Sequence, residues 1–138
     1  MATITSSTTT TIKVDISPGE LIDKITILEI KLERITDTRK RANVAFELRV
    51  LQQACDPSWE LCNDLVAVKS GLKAINTRLW DIEDHIRDCE REKDFGPRFI
   101  ELARSVYKSN DHRAALKREI NELLGSRLIE EKSYSDYT

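Results

Sequence analysis

Three polar residues stand where a helical core asks for leucines. The apolar series Phe99, Leu102, Val106 runs at helical spacing into Asn110, Arg113 and Lys117, then resumes at Ile120 and Leu124. A guanidinium, an ammonium and an amide on one helical line can hold an anion, or can pair with buried carboxylates. The preceding segment carries a longer seam: Leu61, Leu65, Val68, Leu72, Ile75, Leu79, Ile82, Ile86 and Cys89. Folding the chain back at Lys93-Asp94-Phe95-Gly96-Pro97 makes the two segments antiparallel neighbours. Asn76, Trp80 and Glu83 then converge with Asn110, Arg113 and Lys117 on one partly buried polar site. Arg104 and Tyr107 lie one to two turns away. The structural reading pairs Glu83 with Arg113, or lets Arg113 and Lys117 reach water along their stems. The functional reading is a pocket for a phosphate- or carboxylate-bearing small molecule, with Arg113 and Lys117 as charges and Trp80 as a wall.

Other constellations carry less. Asp81, Asp84, His85 and Asp88 have helical ligand spacing, yet all four point away from the seam, and His112 points outward too. Glu20 with Asp23 and Glu29 with Glu33 are spaced like the acidic pairs that all-helical nucleotide pyrophosphohydrolases set around magnesium, but no complete pair lies opposite them. Cys55, Cys62 and Cys89 form neither a CxxC nor a Cys/His set. No metal site and no cofactor is implied, and the odd cysteine count points to a reducing, cytoplasmic setting. With a net charge of −2 and both signs mixed along the chain, there is no basic stripe for nucleic acid. Arg39-Lys40-Arg41 reads as a solvated helix start. No apolar run approaches the roughly 20 residues of a membrane span.

The elements that must position these residues are helices. Leu, Ile, Glu, Lys and Arg abound, while Gly and Pro are scarce. The Thr/Ser-rich start, residues 1–11, has little to bury and is expected to be disordered. Ile12, Val14 and Ile16 alternate with polar residues as an extended arm. Ser17, Pro18 and Glu20 spell a capping box with Pro at the first helical position, and Ile16 with Leu21 spells a hydrophobic staple. Helix one turns Leu21, Ile25, Leu28, Leu32 and Ile35 inward. Ile27 and Ile30 fall on nearly the opposite side, together with Asp23 and Arg34. A helix apolar on two sides is either central or part of an interface between copies. Thr36-Asp37-Thr38 ends helix one and caps helix two, whose seam is Val44, Leu48, Leu51 and Cys55. Asp56-Pro57 then opens helix three, which would run to Glu92, roughly 50 Å, with Ser70-Gly71 as the place for a kink. Helix four runs from Pro97 to Gly125. Residues 12–125 thus form one helical domain, an antiparallel four-helix bundle with a coiled-coil-like hairpin as spine, and residues 126–138 form a C-terminal tail.

From Ile16 onward the chain resembles a family of small all-helical bacterial and phage proteins, a domain of unknown function. The resemblance rests on the run from Ser17 to Lys31, on Leu79 to Asp84, on Phe99 to Tyr107, on Asn110-Asp111 and Arg113-Ala114, and on Glu131 to Tyr134. It implies no catalytic residue. The residues themselves support a non-catalytic interaction or assembly module forming a homo-oligomer, with binding of an anionic small molecule as the alternative.

Overall fold

The computed structural model describes residues 10–138. It is all-α: α1 (Pro18–Arg34), α2 (Thr38–Gln53), α3 (Asn63–Glu92) and α4 (Pro97–Leu123), with a 3-10 turn at Pro57–Leu61 before α3. The disorder expected of the Thr/Ser-rich start falls, for residues 1–9, outside the described residues. Ile12, Val14 and Ile16 form an exposed arm without a strand partner among the described residues.

Side chains set the helix ends. The Ser17 hydroxyl accepts the Glu20 amide at 3.2 Å, with Pro18 following at the first helical position. Asp37 accepts the Lys40 amide at 2.9 Å and starts α2. Between these helices Arg41 donates to the carbonyls of Leu32 and Ile35, two acceptors that the end of α1 leaves free. At the far end of α4, Gly125 takes φ +64°, and its amide and that of Ser126 return to the carbonyls of Glu122 and Asn121. That is a Schellman closure. α3 closes the same way with Lys93 at φ +56°, a left-handed residue that is not glycine.

Helix three starts later than its sequence signals place it. The Asp56 carboxylate caps Ser58 as predicted, but the turn is 3-10, Cys62 is extended, and α3 begins at Asn63. The break seats Trp59 against both apolar clusters of the core. It also leaves Leu61, expected on the seam, 84% exposed. From Asn63 onward α3 is one unbroken helix of 30 residues, about 45 Å. Gly71 does not interrupt it.

α1 is the central element. It packs against α2, α3 and α4, whereas α2 packs against no other helix than α1 among the described residues. One apolar cluster joins Ile22 to Leu65, Val68, Leu72, Ile75 and Ile120. The other joins Leu21, Ile25 and Leu28 to Leu48 of α2. Each such side chain contributes roughly 1.5–3 kcal/mol by burial. The two apolar sides of helix one are therefore met within the chain. Ile30 is buried, and Ile27 is half-buried beside α3. Past the end of α1, α3 and α4 continue as a two-helix hairpin. Ile82 and Cys89 are buried there, while Ile86, Phe99, Leu102 and Val106 remain half-buried. No helix of the described residues is long and apolar enough to cross a membrane.

Candidate functional site

The polar break of α4 faces α1. The sequence Gly19, Glu20, Asp23 climbs α1 while Asn121, Lys117, Arg113 descends α4, so the two helices are antiparallel and meet rung by rung. The Gly19 amide donates to the Asn121 Oδ1 at 2.7 Å. Lys117 Nζ lies 2.7 Å from Glu20 Oε2, 3.1 Å from Glu130 Oε2 and 4.0 Å from Asp23 Oδ2. Arg113 grips Asp23 in a two-pronged pair, with Nε at 2.9 Å from Oδ1 and Nη2 on Oδ2. Asn76 of α3 donates to Asp23 Oδ1 at 2.9 Å and to Thr26 Oγ1 at 3.0 Å, and the Thr26 hydroxyl donates to the Asp23 carbonyl at 2.8 Å. One carboxylate, 1% exposed, thus ties three helices together.

Glycine at position 19 is what allows this approach. A Cβ there would stand 2.4 Å from the Lys117 carbonyl oxygen and 2.9 Å from Asn121 Oδ1. The backbones of α1 and α4 touch at this point, and only a residue without a side chain fits between them.

The electrostatics are those of a matched cluster. Burial pushes the Asp23 carboxyl up, but hydrogen bonds from Arg113 and Asn76 and the charges of Arg113 and Lys117 outweigh it and hold the group below its ordinary value. Hydrogen bonding to Asp23 raises Arg113. Burial pulls Lys117 down, but its bonds to Glu20 and Glu130 more than compensate, and it too is raised. Both cations already have carboxylate partners, so the cluster holds no surplus positive charge.

The six residues expected to converge are divided between the two sides of this pair. Asn76, Trp80, Glu83 and Arg113 line one groove of about 530 Å³ between α1 and α3, with Ile27 and Leu79 as apolar floor. Asn110 lies on the other side, in a cavity of about 940 Å³ that Arg113 also lines and that the C-terminal segment covers. Lys117 sits one turn further along, beneath Glu130. The expected Glu83–Arg113 pair does not form. Glu83 is exposed and pairs with Arg87 on its own helix, whereas Arg113 turns across to α1. The other half of the capping box at Ser17 gives way as well, because the Glu20 carboxylate serves Lys117 and Lys24. Asp81 pairs with Arg34 and Asp88 with Arg91. Among the described residues no group of three or more His, Cys, Asp or Glu side chains is placed to hold a metal ion. The cysteines are unpaired, and burial raises the Cys55 thiol.

Sequence reasoning missed Gly19, Thr26, Asn121 and Glu130; it singled out Glu20 and Asp23 as an acidic pair but not as the partners of Lys117 and Arg113. A signal for most of them was present. Acidic and polar residues at three- and four-residue steps on α1 match basic and polar residues at the same steps on α4. Residues 12–137 match the profile of a family described as one of unknown function. No curated protein and no solved structure matches.

Proposed function

The chain belongs to DUF6165, a family of unknown function, and on that premise we propose that it is a non-catalytic interaction module that assembles with copies of itself. The carrying observation is the end of the α3–α4 hairpin. It extends beyond α1 as two helices with one shared seam, which buries Ile82 and Cys89 but leaves Ile86, Phe99, Leu102 and Val106 only half covered. Ile100 beside that seam is 54% exposed, and Phe95 stands at the tip, edge-on to Phe99. A second copy placed against this end would cover residues that the monomer leaves in water. The polar cluster fits the same reading. Its charges are met inside the chain, as in a device that fixes helix register, and no nucleophile or acid–base pair stands out of it. The three free cysteines support a reducing, cytoplasmic setting.

Sedimentation tests the proposal. The wild-type chain should sediment above the single-chain mass of 15.9 kDa, and Ile100→Glu, at a site too exposed to disturb the fold, should return it to that mass. A wild type that sediments as one chain across the accessible concentrations sinks the reading.

A second reading has one observation in its favour. Asn76, Trp80, Glu83 and Arg113 line a single groove, in which the Arg113 guanidinium is fixed in plane by Asp23 while its Nη1 has no partner among the described residues. A small molecule with a flat apolar body and a carboxylate or phosphate fits there, over Trp80 and against Nη1. Thermal melts with adenosine monophosphate and with inorganic phosphate would expose it. Stabilisation that disappears in Trp80→Ala supports the groove, and flat melts with both compounds remove it.

A further inference from the structure

Beyond Gly125 the chain forms neither helix nor strand, and its polar contacts with the rest of the described molecule land on α4. Glu130 reaches Lys117 at 3.1 Å and Glu131 reaches Arg118 at 3.3 Å. The Tyr137 hydroxyl donates to Asp111 at 2.7 Å, and its ring stands edge-on to Tyr107 at 5.3 Å between centroids. The arm therefore runs back along the helix that precedes it. It has slack. Six residue steps from Glu131 to Tyr137 can span about 20 Å, whereas Arg118 and Asp111 are separated by only about 10 Å of helix. The surplus chain arches away from α4, and the cavity of about 940 Å³ lies beneath the arch. Docking in this way buries little: Tyr134 is 79% exposed, and Leu128 and Ile129 are only about half covered. The departure of the arm is set at Gly125, where nothing packs within 4 Å of a Cβ position.

From these features we infer that the segment Ser126–Thr138 is an exchangeable arm that seats on α4 of a second copy. At two of its contacts the seat pairs acid on the arm with base on the helix, Glu130 with Lys117 and Glu131 with Arg118. Its polar contacts run from the arm to α4, and Leu128, Ile129 and Glu130 also face Ile16, Ser17 and Glu20 at the start of α1; all of these lie on one body, so each contact can form equally well between two copies. Exchange of an identical element across a hinge then needs no new surface. In the pair each arm crosses to its partner, and Leu128 and Ile129 come to lie between the two copies. The inference rests on the self-assembly reading and adds to the hairpin end a second contact between the copies.

Isotope-filtered NMR tests it on the intact chain. Uniformly labelled and unlabelled protein are mixed in equal amounts, unfolded together and refolded. Cross-peaks between the Tyr107 and Tyr137 rings should appear in the spectrum that passes only contacts between labelled and unlabelled chains. Tyr137→Ala should abolish those cross-peaks yet leave the dissociation constant of the dimer nearly unchanged, since monomer and dimer lose the same contacts; a large change in that constant would mean that Tyr137 meets in the dimer a surface the monomer does not offer, and would overturn the exchange. A sample that sediments as a dimer but gives those cross-peaks only within a chain overturns the arm and leaves self-assembly standing. A sample that sediments as a monomer overturns both.

Discussion

Asp23 is the residue on which the three-helix junction depends. Asp23→Asn keeps its shape and removes the charge, leaving a half-buried guanidinium without a counter-ion. The expected loss is roughly 3–5 kcal/mol, read from urea or guanidinium midpoints. Arg113→Met should cost a similar amount, because it strands the carboxylate instead. Replacing both by apolar residues, Asp23→Leu with Arg113→Met, should recover much of either loss, since an apolar pair needs no partner. Additive losses in the double variant would show that the two residues act separately. The pH dependence has a definite sign. The folded-state pKa of Asp23 lies below its ordinary 3.8, so its contribution is complete above that value and is lost as pH falls through the lower folded value. Asp23→Asn should accordingly flatten the acid limb of the stability curve below about pH 4. Arg113 itself was legible, because a charged residue on an apolar line must have a partner. The identity of that partner was not. The hairpin loop fixes which residues of α3 oppose α4, but nothing local fixes where α1, 90 residues away in sequence, will dock.

Among the elements, the two that close in left-handed geometry make opposite predictions. Lys93 ends α3 at φ +56°, where a side chain crowds the following carbonyl. Lys93→Gly should stabilise the fold by about 1 kcal/mol, visible as a higher denaturation midpoint. An unchanged midpoint would mean that the lysine gains elsewhere what it loses there. At Gly19 the direction reverses. Gly19→Ala drives a methyl into the Lys117 carbonyl and must part α1 from α4, at a cost of about 1–3 kcal/mol or more. Helix ends were the most readable feature of this sequence. Ser17, Asp37, Asp56 and Gly125 cap as their chemistry dictates. The start of α3 was misread because Asp-Pro opens a 3-10 turn as readily as an α-helix. What separates the two is the seating of Trp59 in a core that only the finished fold possesses.

At the scale of the molecule, the uneven packing of α2 has a measurable correlate. Among the described residues it packs on one helix only and buries a single residue, Leu48, whereas α3 buries Leu65, Val68, Leu72, Ile75, Asn76, Ile82 and Cys89. Opening of α2 alone exposes little apolar surface, so its amides should exchange with deuterium well before those in the middle of α3. Equal protection in the two helices would show that α2 unfolds only with the whole. The all-helical class and the hairpin spine follow from periodicity and can be read locally. That α1 is central, with α2 outside it, depends on pairings over long stretches of chain, which periodicity does not encode.

The contact between Gly19 and Asn121 spans 102 residues, and this has a consequence for how the protein is made. During synthesis α1 leaves the ribosome well before α4, the helix that clasps it. At about 5–20 residues per second, the interval is several seconds or more. α2 emerges next and can cover Leu21, Ile25 and Leu28. Ile22, Ile30 and the Asp23 carboxylate have no partner until α3 and α4 have been translated. The nascent chain therefore carries one sticky, half-clothed helix while the 102 residues from Gly19 to Asn121 are translated, and this is the stage at which a chaperone would find something to hold.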